Sequence, residues 1–337
     1  TGSRPAIPPI PGLDTVPYLT SDLLTSGEAM ELTVQPRSLV IVGGGYIGLE
    51  LAQLFGRLGT GVTLLQRGEA LLAGYEPEVG IAVHAALAGE GIDIRTGTRI
   101  VGVRAADGGV TVVAETDGRE REIGAERLLI ATGRTPNTAG LGLTEAGVRL
   151  DGRGFVRVDE QLRTSVPHIW AAGDVIGSQT GAQMATPVGA HDGNIAAGNA
   201  LGAEVRTVDH AVLPRTIFTD PQVATVGLTD EEANARGFVC RCNTVAIHYV
   251  PRAGAIRDER GIIKMVLEEQ SGKVVGVSMV GRDAGEVIHE AAMGLRFGAT
   301  VHDFIDLVHV YPTMAEALKI VALSFFKDVT KLSCCAE

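Results

Sequence analysis

The chain has 337 residues, of which 45% are hydrophobic and 20% are charged, and its formal net charge is −11. This is the composition of an ordinary folded protein long enough for two or three domains. The acidic balance disfavours nucleic acid as a partner, and no uninterrupted apolar stretch reaches the roughly 20 residues of a membrane span, so no membrane contact is expected. Four cysteines without a small disulfide-framed module indicate a reducing compartment, by default the cytoplasm.

The amino end reads TGSRPAIPPIPG, a connector rich in Pro and Gly. It carries neither an initiating Met nor the pattern of a signal peptide. We therefore expect a fragment of a longer protein, with residues 1–35 as a connector that belongs to a truncated domain.

A strand, a tight turn, a helix and a second strand are predicted in SLVIVGGGYIGLELAQLFGRLGTGVTLLQR. Gly43, Gly45 and Gly48 form G-x-G-x-x-G directly after the apolar strand at 38–42. The first glycine permits the turn, the second lets the backbone approach a pyrophosphate, and the third permits close helix packing. The helix predicted at 46–58 would direct its positive amino end at the phosphates. A glycine turn that only packs is the alternative, which this βαβ context disfavours.

The end of the second strand indicates which dinucleotide binds. An NAD site usually carries Asp or Glu about 20 residues after the fingerprint, whereas this chain has Gln66 and Arg67. An amide and a guanidinium accept the extra phosphate of NADP, which a carboxylate would repel. We therefore expect NADPH rather than NADH, with a solvated surface charge as the alternative role for Arg67.

These elements open a predicted Rossmann-like domain at residues 36–150. Its segment RLLIATGRTPN contains a buried strand that runs into Gly133. The remaining predicted elements are a helix at 76–87 and strands near Ile92, near Val101, at 110–113 and at 128–131.

The segment TSVPHIWAAGDV follows, with a short strand predicted at 169–172 that ends in Gly173 and Asp174. A carboxylate at the end of a strand, beside a glycine, could bind sugar-like hydroxyls. The alternative is an N-cap, because a helix is predicted at 184–201. The pattern alone leaves both roles open.

Several motifs together resemble, in order and spacing, the flavin-dependent pyridine nucleotide–disulphide oxidoreductases. They are the glycine fingerprint, ATGRTPN at 131–137, TSVPHIWAAGD at 164–174 and FTDPQVATVG at 218–227. The resemblance covers the whole chain and implies FAD and NADPH as cofactors. It places Asp174 on the ribityl chain of FAD.

The same resemblance makes residues 151–209 the remainder of a FAD-binding domain. The helix that begins at Met184 and includes Thr186 would lie along the flavin, and we also predict cofactor contacts from Tyr46 and Gly133. Family members begin with another G-x-G-x-x-G and a C-x4-C redox pair, and neither occurs in this sequence. The resemblance therefore implies that this stretch lacks two parts of its own active site.

Residues 210–337 resemble the α+β dimerisation domain of the family. This implies a homodimer in which each subunit completes the active site of the other. The predicted elements are strands at 223–226, 262–267 and 274–280 and helices at 285–297 and 314–326.

The segment HVYPTMAEALK discriminates between members of the family. Members that reduce disulfides carry His-Pro-Thr-x-x-Glu, in which the imidazole shuttles protons and the glutamate orients it. Here Tyr311 occupies the His position, while Thr313 and Glu316 are retained. A phenol with a pKa of about 10 is a poor proton shuttle at neutral pH. The alternatives are that Tyr311 merely packs, or that a register shift brings His309 into the site.

Cys334 and Cys335 are adjacent in the closing TKLSCCAE. Neighbouring Cα atoms lie about 3.8 Å apart, whereas disulfides prefer roughly 4.4–6.8 Å, so a bond between these two would be strained. Two thiolates on one stem could instead bind a soft metal ion. A frayed terminus with idle thiols is the alternative.

Tyr311 followed by this cysteine pair resembles the members of the family that reduce mercury(II). The resemblance implies that Cys334 and Cys335 receive Hg²⁺ from a thiol complex and pass it to inner cysteines of the partner subunit. Electrons would pass from NADPH through FAD to the metal, and we predict catalytic roles for Tyr311 and Glu316.

Other readings remain open at this point. The chain could belong to a disulfide or dihydrolipoamide reductase, or to a truncated nucleotide- or metal-binding module without turnover. Cys240 and Cys242 form C-x-C in a predicted strand, with both side chains on one face. A second metal site there is conceivable, but we favour idle strand thiols.

Overall fold

A computed structural model describes residues 1–28, 32–178, 181–202 and 205–331. Cys334 and Cys335 lie outside the described residues. The described residues fall into two compact units, each built from two stretches of chain. The first unit contains Thr1–Pro8 and Thr132–Leu213, and the second contains the described residues of Pro9–Ala131 and Pro214–Glu337.

The strands in the described residues are β1 (Ser3–Pro5), β2 (Leu19–Thr20), β3 (Ser38–Val42), β4 (Gly61–Leu65), β5 (Asp93–Arg95), β6 (Arg99–Ala106), β7 (Gly109–Thr116), β8 (Arg119–Ala125), β9 (Arg127–Ile130), β10 (Arg134–Pro136), β11 (Arg215–Ile217), β12 (Gln222–Gly227), β13 (Cys240–Ala246), β14 (Ile262–Glu268) and β15 (Val274–Gly281). The α-helices there are α1 (Ser21–Ser26), α2 (Tyr46–Arg57), α3 (Pro77–Gly89), α4 (Thr186–Ala200), α5 (Asp230–Ala235), α6 (Pro251–Ile256), α7 (Ala284–Arg296), α8 (Val301–Asp306) and α9 (Glu316–Leu323).

A five-stranded parallel sheet in the second unit has the strand order β2-β9-β3-β4-β5. Alternation along β3 sends Leu39 and Ile41 into the core shared with α2 and α3, and Val40 and Val42 into the opposite core. Because both faces are covered, β3 is apolar throughout, as buried parallel strands are. The glycine turn therefore starts from a rigid, fully packed strand.

A three-stranded antiparallel meander, β6-β7-β8, packs on the second of these cores. Its apolar face carries Val103, Val112 and Ile123. Asp117 and Gly118, both with positive φ (52° and 71°), form the two-residue turn between β7 and β8. Such turns match the right-handed twist of the paired strands.

A five-stranded antiparallel sheet, β11-β12-β15-β14-β13, forms the other part of the second unit. Its core is shared with α7, α8 and α9 and includes Met265, Met279, Ile288 and Leu318.

In the first unit, β1 pairs with β10, so that Ser3 lies opposite Pro136. The core of this unit gathers around Leu162, Ile176 and Ile195 beneath α4. Much of the remaining chain there is turns and a 3₁₀ helix at Gly173–Ile176.

Most predicted elements are confirmed to within one or two residues, including β3, α2, β12, β14, β15 and α7. The predicted strand at 169–172 is wrong: only Trp170 forms a bridge, to Arg163. Gly173, with a φ of 75°, then turns the chain into the 3₁₀ helix, so the segment is too short for a ladder.

Two predicted helices form but are shorter than predicted. The helix expected from Met184 begins at Thr186, because Ala185 is extended and Pro187 lacks an N–H and suits only the first turn. The helix expected at 314–326 covers only Glu316–Leu323. The charged strand β8 was not predicted, because REREIGA contains few of the β-branched and aromatic residues that mark strands.

Across the described ranges, none of the helices combines the length and the apolar character that a bilayer crossing requires.

Candidate functional site

The glycine turn after β3 depends on glycine at two of its three fingerprint positions. Gly43 has a φ of 118°, which side-chain-bearing residues rarely adopt, and its N–H donates to the Leu65 carbonyl at 2.9 Å. A Cβ at Gly48 would lie 2.0 Å from the carbonyl oxygen of Gly43. The first glycine therefore makes the turn, and the third lets α2 pack against it.

Gly45 differs from both because no steric contact within the protein demands it. Its φ is −86°, and a Cβ there would meet nothing within 4 Å. It is the N-cap of the twelve-residue helix α2 and supplies no side-chain acceptor to the first turn. Amide groups at such a helix start are suited to bind phosphate oxygens. The turn therefore has an open side at the start of α2.

Gln66 holds this turn in place from the end of β4. Its Oε1 accepts a hydrogen bond from the Gly44 N–H at 3.0 Å, and its Nε2 donates to the Ala70 carbonyl at 3.3 Å. Arg67 is exposed and makes no hydrogen bond or ion pair with any described residue. The structure therefore brings Gln66 to the fingerprint and leaves the Arg67 guanidinium available beside it.

Glu50 was missed by the sequence reasoning. It lies one helical turn after Tyr46 on α2 and accepts a hydrogen bond from the Phe218 N–H at 2.7 Å. Burial raises the pKa of this carboxyl, and burial also raises the pKa of the nearby Tyr75 phenol. Perturbed titratable groups beside a ligand turn are typical of functional sites. The i, i+4 spacing from Tyr46, which is 40% exposed, was the available signal.

Asp174, in the first unit, is tied to the opening segment of the chain. Its Oδ2 accepts a hydrogen bond from the Ser3 hydroxyl at 2.5 Å and lies 3.9 Å from Nε of Arg134. It belongs to the 3₁₀ helix and does not cap α4, whose N-cap is Ala185. The N-cap alternative is therefore wrong, and a carboxylate that is partly exposed remains for a ligand.

Gly133 is fixed by the same opening segment. Its φ is 120°, and its carbonyl accepts a hydrogen bond from the Ala6 N–H at 2.8 Å. A Cβ there would meet nothing within 4 Å, so one side of this position is open. Met184 is half-buried before α4, and Thr186 is exposed at its first position.

Tyr311 lies in an exposed segment that leads into α9. It is 51% exposed and precedes Pro312 through a cis peptide bond. Glu316, which is 5% exposed, accepts a hydrogen bond from the Thr313 N–H at 3.0 Å. The glutamate therefore stabilises the turn that follows the exposed Tyr311.

His309 does not take the place of Tyr311. Its Nε2 lies 3.0 Å from Oε1 of Glu290 on α7, and its Nδ1 lies 3.2 Å from the Leu307 carbonyl. The hydrogen bond with Glu290 raises the pKa of this imidazole. These contacts hold the ring against α7, which argues against the register-shift alternative.

Cys240 and Cys242 lie on β13, and burial raises the pKa of both thiols. The Cys242 Sγ lies 3.9 Å from Oδ2 of Asp230. Within the described ranges no group of three or more His, Cys, Asp or Glu side chains could hold a metal ion. Raised thiol pKa values disfavour the thiolates that metals bind.

A parallel sheet with a G-x-G-x-x-G turn after its central strand β3 is the architecture of dinucleotide-binding domains. Residues 1–193 match the family described as pyridine nucleotide-disulphide oxidoreductase, and residues 213–322 match its dimerisation domain. The chain belongs to the pyridine nucleotide–disulphide oxidoreductase family. Members of this family are flavoproteins that take electrons from NAD(P)H.

Among curated proteins, the chain is similar to mercuric reductases. It is 42% identical over 336 residues to that of Staphylococcus aureus and 43% identical over 337 residues to that of Bacillus cereus. These alignments cover 100% of this chain but 60% and 52% of the relatives. The chain therefore spans little more than half the length of either relative. A dihydrolipoyl dehydrogenase of Haloferax volcanii is 37% identical over 94% of this chain and 65% of its own length.

Among solved structures, the chain is similar to the HOCl-induced flavoprotein disulfide reductase RclA of Escherichia coli. The TM-score is 0.83 at 30% identity, over 97% of this chain and 72% of that one. LpdA of Mycobacterium tuberculosis gives the same TM-score at 27% identity, over 97% of this chain and 69% of that one.

Proposed function

We propose that this chain is the pyridine-nucleotide-binding and dimerisation part of a mercury(II) reductase. The overall reaction is NADPH + Hg²⁺ → NADP⁺ + Hg⁰ + H⁺, in which two electrons pass from the dinucleotide to the metal ion. One observation carries the proposal: Tyr311, with Thr313 and Glu316 retained, is followed by the adjacent thiols of Cys334 and Cys335. The similarity to mercuric reductases over the full chain supports it.

The glycine turn is suited to the dinucleotide. Gly45 leaves space that a Cβ would fill, and α2 directs its amino end at that space. In the proposal, Gly43 and Gly48 form the turn while Gln66 braces it and Arg67 selects NADPH through the 2′-phosphate. Tyr46, at the first position of α2, would contact the cofactor as well.

Asp174 and Gly133 fit a FAD site, since each combines an anchoring contact with an open side. The Asp174 carboxylate would accept hydrogen bonds from ribityl hydroxyls, while Met184 and Thr186 at the start of α4 would line the flavin. When bound, FAD supplies the two-electron chemistry that links NADPH to the metal.

Tyr311 would act on the metal complex rather than on a proton. A phenol, whose ordinary pKa is about 10, is a poor proton shuttle near pH 7. An exposed phenol can contact an incoming mercury–thiol complex without the proton transfer that disulfide exchange requires. Glu316 would keep Tyr311 in position through the turn at Thr313.

Cys334 and Cys335 would accept Hg²⁺ from thiol complexes by ligand exchange. Each incoming thiolate forms a bond to mercury as an outgoing thiolate leaves, so no electrons move in this step. Thiolates select soft cations such as Hg²⁺. In the proposed homodimer the metal then passes to the inner cysteines of the partner subunit.

The experiment that tests the function compares substrates. The chain, joined to the amino-terminal segment of an aligned mercuric reductase, is loaded with FAD, and NADPH oxidation is followed. We expect turnover with a mercury(II)–thiol complex and little with oxidised glutathione or lipoamide. Turnover with the disulfides and none with mercury would instead assign the chain to the disulfide reductases, to which the Haloferax volcanii relative points.

A further inference from the structure

The parallel sheet and its meander line a polar cavity of about 530 Å³. Three of its six lining residues are arginines, in a chain whose net charge is −11. The lining residues are Arg95, Thr96, Thr116, Asp117, Arg119 and Arg121.

The sequence RERE at the start of β8 explains how the arginines come to face this cavity. Side chains alternate along a strand, so Arg119 and Arg121 share the face of the buried Ile123, while the intervening glutamates take the other face. The register agrees, because Arg121 lies opposite the buried Ala114 of β7. Both arginines are exposed, and they line the cavity at the edge of the face that carries Ile123.

Two of the three guanidinium groups of this cavity have no ion-pair partner among the described residues. Arg95 is bound to Asp93, with Nη2 2.7 Å from Oδ2. Arg119 and Arg121 make no hydrogen bond or ion pair with any residue that the structure describes. On the opposite face, by contrast, Arg99 and Arg104 are paired with glutamates. Asp117 is the one carboxylate in the cavity lining.

The cavity adjoins the end of β4, where the dinucleotide fingerprint is braced. The Gln66 N–H donates to the Arg95 carbonyl at 2.8 Å, and the Gly97 N–H donates to the Gly68 carbonyl at 2.9 Å. Ligands of open parallel sheets bind at the carboxyl ends of the strands. Arg95 closes β5 at that edge, so the cavity lies on the ligand side of the sheet.

We propose that Arg95, Arg119 and Arg121 form a binding site for a phosphate dianion. Guanidinium groups bind phosphate oxygens through paired, charge-assisted hydrogen bonds, and the hydroxyl of Thr96 can donate a further one. The phosphate can come from the 2′ position of NADPH or from free phosphate. The site does not depend on mercury reduction, and only its dinucleotide source rests on the proposed function.

Calorimetric titration of the 337-residue chain with inorganic phosphate, at constant ionic strength, tests the site. Arg119→Gln with Arg121→Gln should weaken phosphate binding about tenfold or more, since each lost charged hydrogen bond costs that order of affinity. The matched control is Arg99→Gln with Arg104→Gln, which removes two charges from the opposite face and should leave phosphate binding within about twofold. If circular dichroism shows that a double variant does not fold, the corresponding single variants are titrated instead.

Unchanged phosphate binding in the Arg119/Arg121 variant, or an equal loss in the control, would overturn the site. The source is decided by titrating NADPH and NADH into the same variants. A loss of affinity confined to NADPH assigns the 2′-phosphate, and an unchanged NADPH-to-NADH ratio together with lost phosphate binding assigns free phosphate. If neither dinucleotide binds, the dinucleotide part of the proposed function is contradicted. The titration with inorganic phosphate still tests the phosphate site independently.

Discussion

Gly45 and Gly48 belong to the same fingerprint, but glycine is needed at the two positions for different reasons. Gly48 is required by packing, because a Cβ there would overlap the Gly43 carbonyl at 2.0 Å. Gly45 has empty space beside it and an ordinary φ of −86°, so any requirement for glycine there comes from a ligand.

Gly48→Ala should therefore lower the free energy of unfolding by about 1–3 kcal/mol, as overpacking does. Gly45→Ala should cost only about 0.5–1 kcal/mol, the difference between the two residues at an N-cap, yet should weaken dinucleotide binding more than tenfold. Urea unfolding and fluorescence titration with NADPH give the two readouts. Equal dinucleotide affinity in Gly45→Ala and the native chain would show that no ligand occupies the open side.

His309 predicts a pH dependence of stability. Its hydrogen bond with Glu290 raises its pKa, with burial and the nearby Lys319 acting in the opposite direction. A pKa raised on folding means that the native state holds the proton more tightly. The stabilisation is therefore complete below the unfolded pKa of about 6.5 and is lost as pH rises through the folded value.

The urea midpoint of the native chain should thus exceed that of His309→Gln most at pH 5.5 and converge with it at alkaline pH. Glu290→Gln, which removes the partner, should show the same convergence. A difference that stays constant or grows with pH would contradict the ion pair.

At the scale of elements, one buried lysine connects the parallel-sheet helix α3 with the antiparallel sheet. Lys264 on β14 is 2% exposed, and its Nζ donates to Glu76 at 2.8 Å, to Asp230 at 2.9 Å and to Glu78 at 3.0 Å. Burial lowers its pKa, but the three carboxylates outweigh burial and hold it above its usual range. Burial raises the pKa of Glu76 even beside the ammonium.

Lys264→Met should destabilise the chain by about 3–5 kcal/mol, because it leaves the buried Glu76 carboxylate without a counter-charge. Adding Glu76→Gln should restore part of that loss. Arg104→Met, which breaks the exposed pair with Glu122, should cost less than about 1 kcal/mol. Urea denaturation of the three variants and the native chain measures this. A loss of about 3–5 kcal/mol in Arg104→Met as well would contradict the distinction between buried and exposed pairs.

The sequence predicted those elements whose pattern is local. β3 and α2 carry continuous apolar and helical periodicity around a glycine turn, and both were placed to within one residue. The strand predicted at 169–172 does not form. This apolar segment makes one bridge and then leads into a buried turn of 3₁₀ helix. β8 was missed because its charged residues alternate between the two faces of the meander. Those faces exist only once β8 has paired with β7.

In the candidate site, too, some features follow from local sequence and others do not. The glycine turn and Arg67 follow from spacing, whereas the bracing of Gly44 by Gln66 needs the strand register. Contacts such as Lys264 with Glu76 join residues 188 positions apart, and no local pattern marks them. The roles assigned to Tyr311, Cys334 and Cys335 remain predictions that rest on sequence.

At the scale of the whole molecule, both compact units are built from segments that are distant in sequence. The first eight residues contribute β1, which pairs with β10, and Ser3, which holds Asp174. The acidic net charge disfavours nucleic acid as a partner.

The central claim is that the terminal thiols supply mercury(II) to the flavin site. The most direct measurement is the rate of Hg⁰ release from FAD-loaded enzyme that carries the aligned amino-terminal segment, at limiting mercury(II) with excess competing thiol. Cys334→Ala with Cys335→Ala should reduce this rate more than tenfold while the reduction of FAD by NADPH proceeds at the native rate. Native rates of Hg⁰ release in that variant would contradict delivery by the pair, as would a loss of flavin reduction.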